Sequence, residues 1–68
     1  MPHETYAACI EACNGCATAC NHCAASCLKE TDVAMMARCI ALDIDCAAAC
    51  QFAAAAMARG STHAKAIC

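Results

Sequence analysis

The sequence predicts an all-α protein: an antiparallel helical hairpin that continues into the start of a third helix and forms part of a four-helix bundle. Three observations predict this class. Twenty of the 68 residues are alanine, against one proline and two glycines, and alanine loses the least entropy on entering a helix. Cysteines recur at alternating gaps of four and three residues, which is the spacing of heptad a and d positions. No segment shows the alternating pattern of a strand.

The first helix is predicted at about residues 3–29. Pro2 fits the first turn of a helix, and Glu4 suits the positive end of the helix dipole. At about 100° per residue, the heptad-spaced cysteines all fall within an arc of roughly 80°, so they form one row of thiols on one face. The members of this row are Cys9, Cys13, Cys16, Cys20, Cys23 and Cys27.

The second helix is predicted at about residues 33–59, after a turn at Thr31 and Asp32. Gly60 is a suitable residue to end it, because glycine accepts the left-handed conformation found just after a helix. A third segment at about residues 62–68 begins another helix and reaches barely two turns. The whole chain is interpreted as a single cysteine-rich helical domain.

The second helix repeats the thiol face of the first. On the same heptad frame, Cys39, Cys46 and Cys50 lie in one row. A connection of about three residues makes the two helices antiparallel neighbours, and alanines beside each row let the backbones come close. We therefore expect the two thiol rows to face each other across a narrow interior channel.

An apolar surface remains on the far side of the second helix. Ile44 and Phe52 lie there, together with Ala41, Ala48 and Ala55. A solvated hairpin should not expose such a surface, and a chain of this length seldom buries enough apolar area to be stable without metals or partners. We therefore expect a homo-oligomer that associates through this surface.

Composition excludes several partners. A net charge of −2, with four Lys and Arg, one Tyr and one Phe, provides neither a basic patch nor a stacking platform for nucleic acid. The N-terminus does not resemble a signal peptide, and no run approaches the roughly 18 apolar residues of a membrane span. We expect a cytoplasmic protein without a membrane partner. In a reducing compartment, ten cysteines indicate metal binding rather than disulfides.

The spacing of the cysteines suits a soft metal ion. Four Cys-x-x-x-Cys pairs place two sulfurs one turn apart on the same face: Cys9/Cys13, Cys16/Cys20, Cys23/Cys27 and Cys46/Cys50. Thiolates prefer soft ions, and Cu(I) accepts two or three sulfurs. All ten cysteines are predicted metal ligands, including Cys39 and Cys68. At about two thiolates per ion, they would hold on the order of five Cu(I) ions per chain.

Four other side chains are candidate accessory ligands. Met36, Met57 and Asp43 lie on the thiol line of the second helix, and His63 lies where the third segment begins. A methionine at helical spacing more often belongs to a core, and a carboxylate is a hard ligand among soft ones. An N-terminal Cu(II) site at His3 is not expected, because the preceding proline has no amide proton.

Three features resemble the bacterial cysteine-rich four-helix-bundle copper storage proteins. They are the cysteine row from Cys9 to Cys27, the face formed by Cys39 and Cys46-Ala-Ala-Ala-Cys50, and the new helix that begins between Gly60 and Cys68. The resemblance covers nearly the whole chain. It implies a bundle interior lined with cysteines that take up many Cu(I) ions, and therefore copper storage and buffering without catalysis. It also implies exchange of copper with a donor protein or a small thiol.

Members of that family continue through complete third and fourth helices. The resemblance therefore implies that this chain is the front half of a longer protein or that two hairpins pair to complete the bundle.

Three other functions compete with copper storage. The Cys13-x-x-Cys16 and Cys20-x-x-Cys23 spacings superficially match an iron–sulfur electron carrier, but such clusters need irregular, Pro- or Gly-containing loops. A general zinc or thiol metal sponge would need four tetrahedral ligands, which two facing rows can supply. A thiol-disulfide enzyme usually places its Cys-x-x-Cys motif after a strand, and no strand is predicted here.

Overall fold

The computed structural model describes residues 2–68 and the side chains of residues 4–68, so the expectation for His3 lies outside the described side chains. The described part of the chain is all-α, which confirms the predicted fold class. In chain order the elements are α1 (Pro2–Thr5), α2 (Ala7–Cys27), a 3₁₀ helix (Val33–Met36), α3 (Ala37–Ala58) and α4 (Ala64–Ile67).

The helix boundaries differ from the predicted ones at the start of the first helix and at the start of the second. Tyr6, with φ −106° and ψ 16°, separates α1 from α2, and its carbonyl oxygen accepts the first backbone hydrogen bond of α2, from Ile10 N at 2.9 Å. The second helix begins as a 3₁₀ turn, in which Met35 N donates to Asp32 O at 3.2 Å. Short 3₁₀ turns of this kind are frequent at the ends of α-helices.

Gly60 ends α3 in the left-handed conformation, with φ 68°. Ser61 N donates to Ala56 O at 3.0 Å, and Gly60 N donates to Met57 O at 3.1 Å. This pair of hydrogen bonds is the Schellman arrangement, which satisfies carbonyl oxygens at the helix end. It reverses the chain so that α4 packs back against α3.

Substitution of the two glycines by alanine should have opposite effects on stability. Gly60→Ala should lower the free energy of unfolding by about 1–2 kcal/mol, because a Cβ is disfavoured in the left-handed conformation. Gly15→Ala should raise it by about 0.5–1 kcal/mol, because Gly15 is helical and an added Cβ meets nothing within 4 Å. Urea denaturation of both variants measures the difference, and equal changes would contradict this account of Gly60.

The two long helices form a hairpin one layer thick, with principal extents of 47 × 16 × 12 Å. Small side chains occupy the contact between α2 and α3, because alanine allows two helix backbones to approach closely. The buried hydrophobic residues are Ala17, Ala24, Ala47, Ala54, Ala56, Met57 and Ala64.

Apart from Met57, the larger apolar side chains of residues 4–68 remain outside this thin core. Those that are exposed are Leu28, Val33, Met35, Leu42, Ile44 and Phe52. Both Ile44 and Phe52 of the predicted far surface are among them, at 54% and 61% exposure. A single hairpin therefore leaves much of its apolar surface in water. None of the helices within residues 2–68 has the length and apolar character that crossing a membrane requires.

Candidate metal centre

All ten cysteines are free thiols, and none is fully buried. Six are half-buried, and Cys16, Cys39, Cys46 and Cys68 are exposed. The alanines, not the thiols, occupy the contact between the two helices. The two rows nevertheless approach each other as expected, with Cys16 Sγ 3.8 Å from Cys46 Sγ. The thiols lie beside the alanine contact, because alanine is the smaller side chain and permits the closer approach, and they stay partly exposed in the single hairpin.

Helix geometry shows where the thiols lie relative to the alanines of the helix contact. In α2, the cysteine row is roughly 70° around the helix from the buried Ala17 and Ala24. In α3, the cysteines are offset from Ala47 and Ala54 by a similar angle. Because the helices are antiparallel, these two offsets bring both rows to the same broad side of the hairpin. We call this side, which carries the nine cysteines of α2 and α3, the thiol face.

One group of ligand atoms lies at the end of the hairpin nearest the turn. The Sγ atoms of Cys23, Cys27 and Cys39 and a carboxylate oxygen of Asp43 all lie within 4.8 Å of one another. Two of these residues come from the end of α2 and two from the start of α3. The Cys39 thiol is 4.0 Å from Asp43 Oδ2, to which it donates a hydrogen bond. We call these four residues the turn cluster.

A second group lies near the middle of the hairpin. The Sγ atom of Cys16 is 3.9 Å from that of Cys20 and 3.8 Å from that of Cys46. Hydrogen bonds from the thiols of Cys50, Cys46 and Cys20 lower the pKa of Cys16. The same contact with Cys16, with desolvation, raises the pKa of Cys50 to about 12. We call these four cysteines the middle cluster.

The remaining three cysteines interact where the chain returns, but they are not among the groups of described ligand atoms that lie within 4.8 Å of one another. A hydrogen bond with the Cys68 thiol raises the pKa of Cys9 to about 11, with smaller contributions from burial and from Cys13. We call Cys9, Cys13 and Cys68 the terminal cluster. The three clusters together contain all ten cysteines. The place of Cys68 could not be read from sequence spacing, because it depends on the reversal at Gly60 and the docking of α4.

The four candidate accessory ligands are placed differently from one another. Asp43 belongs to the turn cluster. Met57 is completely buried, which suits a core residue, and Met36 is half-buried. His63 is exposed, and its backbone N–H donates to Ser61 Oγ at 3.2 Å. Of these four, the structure brings only Asp43 into one of the groups of His, Cys, Asp and Glu ligand atoms found among the described residues.

Neighbouring thiols and one carboxylate control the acidity of the clusters. A hydrogen bond with Cys46, with desolvation, raises the pKa of Cys20 to about 12. The Asp43 carboxylate raises the pKa of Cys23 to about 12 through a hydrogen bond, and its negative charge raises the pKa of Cys39. Most of these thiols are therefore protonated at neutral pH, and a metal ion must displace their protons to bind.

The metal-free protein should lose stability as the pH rises above about 9. The folded chain holds protons on Cys9, Cys20, Cys23 and Cys50 up to pKa values of about 11 to 12, whereas an unperturbed thiol releases its proton near 9.0. The folded state then binds more protons than the unfolded state, so the stabilisation is complete below pH 9 and is lost towards pH 12. The lowered pKa of Cys16 acts in the opposite direction, but it belongs to one thiol against these four.

Anaerobic urea denaturation of the reduced protein between pH 7 and pH 10 measures the effect. A Cys20→Ser, Cys23→Ser variant is the control and should lose less stability over the same range. Stability that rises with pH in the unmodified chain would contradict the prediction.

An all-α hairpin with ten free thiols, six of which lie in two groups of close ligand atoms, defines a class: small, thiol-rich helical proteins whose side chains could hold metal ions. Comparison with known families shows which family of this class includes the chain. The chain belongs to the copper storage protein family (Csp), whose family model matches residues 2–68. This confirms the resemblance drawn from the cysteine pattern. No curated protein and no solved structure matches the chain.

Proposed function

We propose that this protein stores and buffers copper by binding several Cu(I) ions per chain through cysteine thiolates on the thiol face and in the terminal cluster. The supporting observation is that thiols of α2 and α3 meet in two groups of close ligand atoms, one in the turn cluster and one in the middle cluster. Soft thiolates select Cu(I), which needs only two or three of them per ion. The ten proposed ligands are Cys9, Cys13, Cys16, Cys20, Cys23, Cys27, Cys39, Cys46, Cys50 and Cys68.

The middle cluster illustrates how one ion would be held. Cys16 lies within 4 Å of one thiol on its own helix and one on the opposite helix. A Cu(I) ion bound here would be shared between helices, and Cys50 could bridge to a neighbouring ion. Binding releases thiol protons to solvent, so copper affinity should fall as the pH is lowered.

Storage requires that copper can enter and leave. The thiols are half-buried or exposed in the single hairpin, so a donor protein or a small thiol can reach them while no second copy covers the thiol face. The ions would then pass from one thiolate to another without a catalysed reaction. Free thiols in this number require a reducing compartment, which is consistent with a cytoplasmic location.

A second copy of the chain would complete the site. The residues that flank the cysteines on the thiol face are exposed and uncharged: Ala12, Ala19, Leu42 and Ala49. The hairpin is a single layer, and two such layers stacked with their thiol faces together make a four-helix bundle. The second layer would cover both the thiols and this apolar margin. We therefore propose a homo-oligomer closed through the thiol face.

Two substitutions distinguish this surface from the far surface expected from the sequence. Leu42→Lys places a charge at the margin of the thiol face and should convert a dimer into a monomer, because an unpaired charge resists burial. Phe52→Lys places the same charge on the far side of α3 and should leave the dimer intact. Sedimentation equilibrium of the reduced proteins measures the mass, and dissociation by Phe52→Lys alone would assign the interface to the far surface.

Anaerobic titration with Cu(I) against a chromophoric chelator tests the proposed function. We expect on the order of five tightly bound ions per chain, at about two thiolates per ion. The same titration with Zn(II) shows whether the thiols prefer copper. Fewer than about two tightly bound Cu(I) ions per chain would overturn the storage proposal, and a brown protein with visible absorption would favour an iron–sulfur cluster instead.

A further inference from the structure

The turn cluster has a different set of donors from the rest of the thiol face. Its ligands are three sulfurs and one carboxylate oxygen, with all four atoms within 4.8 Å of one another. In the middle cluster, three sulfurs from Cys16, Cys20 and Cys46 meet the same condition, and no oxygen ligand joins them. The two clusters therefore differ in both the number and the hardness of their donors.

Donor number and hardness together select the ion. Cu(I) is satisfied by two or three thiolates and gains little from a hard carboxylate. A divalent ion of the zinc class takes four ligands in a tetrahedron and accepts sulfur and carboxylate oxygen together. Three thiolates and a carboxylate carry four negative charges, and a divalent cation neutralises more of this charge than a monovalent one does.

We propose that, in the absence of copper, the turn cluster binds one divalent cation of the zinc class, with Cys23, Cys27, Cys39 and Asp43 as its four ligands. The proposal goes beyond copper storage and does not depend on it. Binding would release up to three thiol protons, and excess Cu(I) would compete for the three sulfurs.

The position of the turn cluster gives such an ion a structural consequence. Two ligands come from the end of α2 and two from the start of α3, so the ion would link the helices across the connection at residues 28–36. An ion that binds the folded chain but not the unfolded one stabilises the fold in proportion to the logarithm of its concentration. Because the alanine core is thin, this link would contribute a larger share of the total stability than it would in a larger protein.

Titration of the reduced, copper-free chain with Co²⁺ tests the site, because tetrahedral Co²⁺ with thiolate ligands absorbs visible light strongly. We expect one Co²⁺ per chain with this spectrum, displaced by one equivalent of Zn²⁺. Absence of the tetrahedral spectrum would overturn the proposal. Loss of the spectrum in a Cys16→Ser, Cys20→Ser variant would also overturn it, because that result would place the ion in the middle cluster.

Substitutions of the carboxylate make the test specific. Asp43→Asn should weaken Co²⁺ and Zn²⁺ binding by at least about tenfold, since even indirect partners of a metal site contribute that much. Asp45→Asn, two residues further along α3 and exposed, is the matched control and should change neither. Asp43→Cys restores a fourth ligand and should keep the site, which separates loss of a ligand from loss of the fold. Equal affinity in Asp43→Asn and the unmodified chain would overturn the role of Asp43.

Copper capacity provides the independent readout. The unmodified chain is therefore titrated with Cu(I) as well as with Co²⁺. If the unmodified chain binds Co²⁺ as described but stores little Cu(I), the copper storage proposal fails and the divalent site stands. If it stores Cu(I) but gives no tetrahedral Co²⁺ spectrum, the proposed divalent site fails and the copper storage proposal stands.

Discussion

Replacing Ala17 by leucine lowers the free energy of unfolding by about 1–3 kcal/mol, because a larger side chain is forced into a close-packed contact. Ala17 is only 3% exposed in the contact between α2 and α3. The loss is large for a chain this short, whose core consists mainly of alanine. The helices must also move apart, which lengthens the 3.8 Å distance between the Sγ atoms of Cys16 and Cys46.

Ala25→Leu is the matched control for this substitution. Ala25 lies in the same helix but is exposed, so the change should alter the free energy of unfolding by no more than about 0.5 kcal/mol. Urea denaturation of both variants under reducing conditions gives the comparison. If Ala17→Leu were as stable as Ala25→Leu, close approach of the helices through alanine would not be what holds the hairpin together.

Replacing Cys16, Cys20 and Cys46 by serine should lower copper capacity by about one or two Cu(I) ions per chain, at about two thiolates per ion. A serine hydroxyl does not ionise at neutral pH and is a poor ligand for a soft ion. The ions of the turn and terminal clusters should remain. Anaerobic Cu(I) titration against a chelator measures the change.

A control variant carries three serines beside the same cluster without removing any thiol. Ala12→Ser, Ala19→Ser and Ala49→Ser alter exposed positions on the margin of the thiol face, and copper capacity should stay the same. An equal loss of copper in both variants would mean that polarity of the face, rather than its thiolates, determines capacity. Retention of full capacity without the three thiols would remove the middle cluster from the proposed site.

The two experiments test two different features of the hairpin, the packing of its helices and its metal ligands. Alanine packing brings the helices close enough for thiols on separate elements to meet, and the thiols then provide the ligands. If the alanine contact fails, the cross-helix clusters fail with it. If the thiols are removed, the hairpin persists and only the copper is lost.

The sequence by itself determined the features that depend on local geometry. The helical period alone predicts that six cysteines from Cys9 to Cys27 share one face, and the alanine content predicts the helices that carry them. Gly60 ends α3 with φ 68°, as its conformational freedom predicts. The preference of dense thiolate for soft metal also follows from residue type alone, and the copper storage family was recognised on that pattern.

Only the tertiary structure decided how each helix is rotated against its neighbour. The rotation places alanines in the contact and the thiols beside it, brings Asp43 to Cys23, Cys27 and Cys39, and brings Cys68 to Cys9. Spacing along one helix cannot determine this, because rotation and register depend on which small side chains allow the closest approach between two helices. The identity of the ligands is therefore local information, whereas their grouping into clusters is a property of the packed hairpin.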